Sequence, residues 1–268
     1  MTMFGGPVLL EQGAGDLVSP ATPEQDCERV RQALLDLGSG GPGLLRIYRS
    51  RPVAAFAPRD TVLKGYAEAA AAMRAHGFAP VERRTGGQLA VYDEGALVID
   101  LVAPHPDPRP HVIERFADFS GALAAALINL GIDARVGMVP GEYCPGDYSV
   151  NAGGRIKIIG VAQRINRHGY HMGAVVAVES RPAVRHAVGL AYQVLGLPFE
   201  PATFGAIEEM SSIPHPTHAG VAGVLLEHIR GLVGVENFCT RDALSHRDRT
   251  EDRHHGRNAP VLHRTLRR

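Results

Sequence analysis

The sequence predicts an α+β fold: a mixed, largely antiparallel sheet with helices packed against it. Three observations lead there. Apolar runs of strand length recur between turns rich in Gly, Pro and Asp. Longer segments with helical character lie among them, several closed by a glycine just past the end. Strands arrive in groups instead of alternating one for one with helices, which favours antiparallel neighbours over a doubly wound parallel sheet.

Residues 1–24 contain Gly and Pro and carry little pattern, so they are expected to form a loose arm. Residues 27–37 read as a short amphipathic helix stopped by Gly38, and GSGGPG over 38–43 is a loop. Residues 44–48 and 53–56 look like strands, split at Arg51-Pro52. Residues 63–76 are Ala-rich and helical, with Gly77 as the cap. Strands are expected at 80–84, 88–92 and 96–102, joined by Thr85-Gly86-Gly87 and Asp93-Glu94-Gly95, both turn compositions. The proline-rich segment 104–108 opens a helix over 111–130, closed by Gly131. A strand at 135–139 follows, then three strands within 143–178. A helix over 181–195, with Pro182 in a favoured position near its start, and another over 217–232 complete the pattern. Residues 25–240 thus read as one domain, and 241–268 as a disordered tail rich in Arg and His with few apolar anchors.

Composition narrows the function classes. The 268 residues suffice for a full core, and 45% apolar with 21% charged residues is the balance of a soluble globular protein. Twenty-eight basic residues match 28 acidic ones, so no net field favours nucleic acid or a membrane surface. Cys27, Cys144 and Cys239 are widely spaced and odd in number, which fits neither a metal site nor a disulfide framework. No run reaches transmembrane length, and the N-terminal segment lacks a signal-peptide pattern. The expected compartment is the cytoplasm, where thiols stay reduced. His246, His254, His255 and His263 lie in the tail without ligand spacing, so no metal is expected from them.

Two residues stand out. Of the 28 basic residues only Lys64 and Lys157 are lysine, and Lys157 sits in the apolar run R-I-K-I-I-G. An ammonium is a compact point charge, unlike the forked guanidinium. Such a lysine is either an edge-strand residue whose amine reaches solvent or a buried functional cation. Cys144 lies upstream in the turn Y-C-P-G-D-Y. A lone cysteine is commonly a small buried hydrophobe, but the Pro-Gly beside it argues for a loop. Cys144 and Lys157 are therefore candidate partners, a thiolate nucleophile and the cation that stabilises charge near it. A third feature is Arg83-Arg84-Thr85-Gly86-Gly87-Gln88, where two glycines after a strand permit either a plain hairpin or the close approach of a ligand, and the arginines can hold an anion. His168 and His171 are strand-surface or pocket-lining residues, with a general base as the lesser alternative.

Together these stretches resemble the lipoate–protein ligase/octanoyltransferase superfamily, whose fold is related to that of the biotin protein ligases. Arg83-Arg84-Thr85-Gly86-Gly87 with Ala90-Val91 is similar to the family's R-R-x-x-G-G-G-A-V loop. Gly154-Arg155, Lys157 to Gly160 and Ala162-Gln163-Arg164 match its G-R-K-I-x-G-x-A-Q-R strand, and Tyr170-His171-Met172-Gly173 its L-H-H-G segment. Gln88 stands where the family has a third glycine, and Ile156 is inserted between Arg155 and Lys157. The run L-A-V-x-x-D-E-G and the placing of Cys144 resemble the cysteine-dependent branch that takes octanoyl groups from the glycine-cleavage H protein.

The resemblance implies a biotin/lipoate protein ligase-like catalytic domain and an acyltransferase of protein lipoylation. It would move an octanoyl or lipoyl group from a carrier protein to a lysine of a lipoyl domain through a Cys144 acyl-thioester. Cys144 and Lys157 would be catalytic; Arg83, Arg84, Thr85, Gly86, Gly87, Gln88, Ala90, Gly160, Ala162, His171 and Gly173 would bind substrate, with Leu89, Val91 and Ile159 lining an apolar slot walled by the Gly86-Gly87 loop. The donor would be an octanoyl carrier protein or the H protein, the acceptor the lipoyl domains of 2-oxoacid dehydrogenases, with no cofactor, nucleic acid or membrane. One alternative is an ATP-dependent lipoate or octanoate ligase that uses Lys157 without Cys144; ATP and Mg belong to that reading alone. Another is a catalytically silent binder of lipoyl domains or acyl chains.

Overall fold

The structure, a computed structural model, describes residues 8–12, 16–233 and 238–239. The elements in chain order are β1 (Val8–Gln12), α1 (Pro23–Asp36), β2 (Gly43–Tyr48), β3 (Val53–Phe56), α2 (Tyr66–Ala75), β4 (Ala79–Glu82), β5 (Ala90–Tyr92), β6 (Ala96–Pro104) and α3 (Val112–Asn129). They continue with β7 (Ala134–Val136), β8 (Val150–Ala152), β9 (Ile156–Ile165), β10 (Gly169–Ala177), α4 (Pro182–Leu195), α5 (Ile207–Met210), α6 (His218–Val233) and β11 (Phe238–Cys239). The large sheet runs β11-β1-β2-β6-β10-β9-β8-β7; a small one runs β4-β3-β5. From β2 to β7 every pairing is antiparallel, while β1 is parallel to both β2 and β11. The predicted α+β class is the observed one.

Strand alternation divides the large sheet into two unlike faces. One face carries Ile47, Leu97, Ile99, Leu101, Met172 and Val176, which pack with Phe119, Leu123 and Leu127 of α3 and Val221, Leu225 and Ile229 of α6. The opposite face carries Arg46 and Tyr48 of β2, Asp100 of β6, His171 and Gly173 of β10, and Gly160 and Ala162 of β9. A second core joins the small sheet to α2 and α4 through Phe56, Met73, Leu89, Val91, Val188 and Tyr192. α1 covers the edge of the polar face through Val30, Ala33 and Leu34 against Leu44 and Val102.

Three expectations change. The stretch read as a loose arm over 1–24 holds β1 and the start of α1. Thr22 Oγ1 accepts the Gln25 N–H, Gln25 Oε1 accepts the Thr22 N–H, and Pro23 fills the first helical position, so the helix begins earlier than Cys27. Thr85-Gly86-Gly87 does not close a hairpin, because β3 lies between β4 and β5 and is parallel to β4. The strand expected at 135–139 is only the edge strand β7. The tail at 241–268, with its four histidines, lies outside the described residues.

Candidate functional site

The polar face of the large sheet, the small sheet and α1 enclose a cavity of about 660 Å³. Its floor is built from small residues: Gly160 and Ala162 of β9, and Gly173 of β10, which pairs with Ala162. A Cβ at Gly173 would stand 3.2 Å from the His171 ring, and one at Gly160 would stand 3.4 Å from Lys157 Cε. Glycine at these positions leaves room for the two longer side chains and for the cavity itself.

Cys144 stands at the cavity wall on a backbone with φ +42°, a left-handed conformation that a non-glycine residue adopts at a cost. Two groups address its sulfur. The Gln88 N–H points at Sγ from 3.2 Å, and Arg83 Nη2 lies 3.7 Å away. The same guanidinium donates to Gln88 O at 2.7 Å and to Thr85 Oγ1 at 2.5 Å, which fixes it over the loop. Gly87 closes this contact with φ +102°: a Cβ there would fall 2.8 Å from both Arg83 Nη2 and Cys144 Sγ. Glycine is required because the backbone passes against the sulfur and its cation.

The turn itself is held from behind. Tyr192 Oη accepts the Cys144 N–H at 2.6 Å and donates to Leu89 O at 2.9 Å. Burial pushes the Tyr192 hydroxyl well above its ordinary range, so it stays a neutral bridge. Lys157 and Glu142 form a fully buried ion pair at 3.0 Å. The three donors of the Lys157 ammonium go to Glu142 Oε1, Tyr143 O and Cys144 O, the last two at 2.9 and 2.8 Å. Glu142 also accepts the N–H groups of Val139 and Gly146 and the Ser149 hydroxyl. Lys157 thus meets the backbone of Cys144, and its N–H groups are committed there. The expected pairing of that ammonium with the sulfur is replaced by Arg83.

Of the other residues singled out, Arg84, Thr85, Ala90, Gly160, Ala162, His171 and Gly173 line the cavity. Gly86 is exposed, with nothing within 4 Å of a Cβ, and forms no wall. Leu89, Val91 and Ile159 were expected to line the slot; they face the cores, and their strand neighbours Ala90 and Gly160 face the cavity. Sequence reasoning missed Glu142, Tyr192 and a buried polar cluster of Asp26, Arg46 and Asp100. Arg46 Nη2 lies 2.5 Å from Asp26 Oδ1, and His171 Nε2 lies 2.9 Å from Asp100 Oδ1. Arg46 in L-L-R-I-Y and Asp100 in L-V-I-D-L-V show the same cue as Lys157, a charge inside an apolar strand. Cys27 also lines the cavity, and burial together with the nearby Asp100, Asp26 and Glu24 pushes its thiol up to about 12.

Among the described residues no group of His, Cys, Asp and Glu is arranged to hold a metal ion, and no helix is long and apolar enough to cross a membrane. The chemistry on offer is that of a cysteine facing a cavity, with a backbone N–H and a guanidinium at its sulfur.

The chain is 30% identical over 145 residues to an octanoyl-[GcvH]:protein N-octanoyltransferase of Geobacillus kaustophilus, covering 54% of this chain and 51% of that protein. A protein of the same name from Exiguobacterium sibiricum is 30% identical over 153 residues, 53% of this chain and 55% of the relative. The chain thus spans about half the length of the curated relatives it matches. In fold it is similar to a lipoate-protein ligase A bound with ATP, with TM-score 0.62, 19% identity, and coverage of 88% of this chain and 87% of that one. It is also similar to a bi-partite lipoate protein ligase of Thermoplasma acidophilum studied with its E2 lipoyl domain, with TM-score 0.59, 18% identity, and coverage of 89% and 86%. The model of the lipoyl protein ligase A/B catalytic domain matches residues 28–192, and with that match over more than half its length the chain belongs to this family.

Proposed function

We propose that the chain is an acyltransferase that moves an octanoyl group between carrier proteins through a thioester on Cys144. The observation that carries this is the setting of the sulfur: a strained turn presents it to the cavity, with the Gln88 N–H at 3.2 Å and Arg83 Nη2 at 3.7 Å. The names of the curated relatives support the octanoyl group and the H protein as its donor. The archaeal neighbour, studied with its lipoyl domain, supports a lipoyl domain as acceptor.

In the first step the Cys144 thiolate attacks the octanoyl carbonyl carbon. A C–S bond forms, the carbonyl electron pair moves to oxygen, and collapse expels the donor's leaving group, which takes up the proton the thiol gave. In the second step the ε-amine of an acceptor lysine attacks the thioester. The C–N bond forms, the C–S bond breaks, and the proton the amine loses passes to the departing sulfur, which returns as the thiol. Covalent catalysis of this kind divides one hard transfer into two easier ones. The Gln88 N–H and Arg83 first hold charge on sulfur. When the tetrahedral intermediate forms, that charge sits on the adjacent oxygen, within reach of the same donors; losing one donor of this kind costs on the order of 10²–10³ in rate. Lys157, Glu142 and Tyr192 act through Cys144 by holding its turn and are positioning residues.

The test is a transfer assay with octanoyl H protein, octanoyl acyl carrier protein, and free lipoate with ATP as separate donors. Octanoyl transfer that is lost in Cys144→Ala supports the reading. Lipoate-dependent pyrophosphate release that survives Cys144→Ala overturns it in favour of an ATP-dependent ligase. Binding of carrier protein without turnover overturns it in favour of a silent binder.

A further inference from the structure

The cavity is not apolar along its length, and the transfer steps proposed above draw on no group at its polar end. Ala162, Gly173, Asp100 and Arg46 lie directly across from one another on β9, β10, β6 and β2. At about 4.8 Å per strand the row spans roughly 14 Å, and Asp100 stands about 10 Å from the β9 side where Lys157 and Cys144 meet. An acyl chain that leaves Cys144 over the glycine floor therefore heads towards carboxylates.

Those carboxylates are buried and incompletely paired. Asp26 and Asp100, 3% and 5% exposed, both line the cavity, and each has one oxygen, Oδ2, without a hydrogen-bond partner. Arg46 Nη1 also has no hydrogen bond and stands 3.9 Å from Asp100 Oδ2, too far for one. Buried polar atoms are almost always satisfied, and a buried ion pair is favourable only when its remaining lone pairs and protons are met. Acceptors and donors are both left open here, so the missing partner is one that donates to a carboxylate and accepts from the guanidinium. A hydroxyl is the smallest group that answers both sides, because it can donate to a carboxylate and accept from a guanidinium.

We propose that the β2 end of the cavity is a polar subsite for an acyl chain carrying a hydrogen-bond-donating group, such as a hydroxyl, at its far end. This rests on the Cys144 thioester reading and extends it from a plain octanoyl chain to an ω-substituted one. Each chain class fills the same floor, and only the substituted one satisfies the Asp26, Asp100 and Arg46 atoms.

The test is a competition between octanoyl and 8-hydroxyoctanoyl thioesters of the same small thiol, present in equal amounts, with the two Cys144 adducts separated by intact mass. The expected result is faster acylation by the hydroxylated chain, by about tenfold or more, since a site built to hydrogen-bond a hydroxyl rejects the analogue that lacks it. Asp100→Asn or Asp26→Asn should bring the ratio towards one, with thermal unfolding confirming that each variant is folded. An equal rate, or a preference for plain octanoyl in the unaltered chain, overturns the subsite and leaves the thioester reading standing. A preference untouched by both substitutions also overturns it. No adduct from either thioester overturns both readings.

Discussion

Lys157 Nζ lies 2.8 Å from the carbonyl oxygen of Cys144, so the lysine grips the backbone of the candidate nucleophile. Its other contacts, Glu142 Oε1 and Tyr143 O, leave no N–H free for a substrate. The pair is wholly buried, and removing one partner strands the other charge. Lys157→Met should therefore destabilise the fold by about 3–5 kcal/mol, and adding Glu142→Gln should recover most of that loss. Urea unfolding of the two single variants and the double variant checks this; equal losses that simply add would contradict it.

Gly87→Ala should slow acyl transfer far more than Gly86→Ala does. Its methyl would stand 2.8 Å from both Cys144 Sγ and Arg83 Nη2, at a φ of +102° that only glycine tolerates easily. Gly86→Ala is the paired control, because open space surrounds that position. Transfer rates of the two variants side by side decide the point, with Gly87→Ala expected to lose a factor of about 10² or more.

Cys144→Gly should unfold at higher urea than Cys144→Ala. At φ +42° any Cβ strains the backbone, by about 1–3 kcal/mol, and glycine relieves it. Both variants lose the sulfur, so neither should turn over. Identical midpoints for Gly and Ala would show that the turn is unstrained.

Stability should fall as pH drops below the ordinary histidine value of 6.5. Burial and Arg115 hold His105 below that value, and burial and Arg49 do the same for His218. The unfolded chain then binds protons that the folded chain refuses, so stability rises with pH through this window and is lost on the acid side. The Asp107 N–H donates to His105 Nδ1, a bond that protonation breaks. His105→Asn, which keeps an acceptor but cannot titrate, should flatten the slope of unfolding midpoint against pH between about 5 and 7.

How far the sequence carried the fold depends on the range of each signal. Helix ends marked by Gly77, Gly131 and Pro182 were legible because capping is local. The small sheet was not, since adjacent runs 80–84 and 88–92 suggested a hairpin, and only tertiary packing places β3 between β4 and β5. In the site, Cys144 and Lys157 stood out by residue type, but the structure brings the ammonium to the Cys144 carbonyl and not to its sulfur. The Arg83–Cys144 contact spans 61 positions and left no trace in local pattern. Leu89, Val91 and Ile159 do not line the cavity, for a simple reason. Large apolar side chains fill space, so a cavity is floored by the small residues that alternate with them, here Ala90 and Gly160.

The most direct measurement is peptide-level mass spectrometry of the chain after brief exposure to an octanoyl carrier protein. Cys27 shares the cavity and serves as the internal control, its thiol pushed up to about 12 and so protonated at neutral pH. The account predicts an octanoyl group on the peptide containing Cys144, none on that containing Cys27, and decay of the adduct when a lipoyl domain is added. Full transfer by Cys144→Ser, or an adduct confined to another residue, would contradict it.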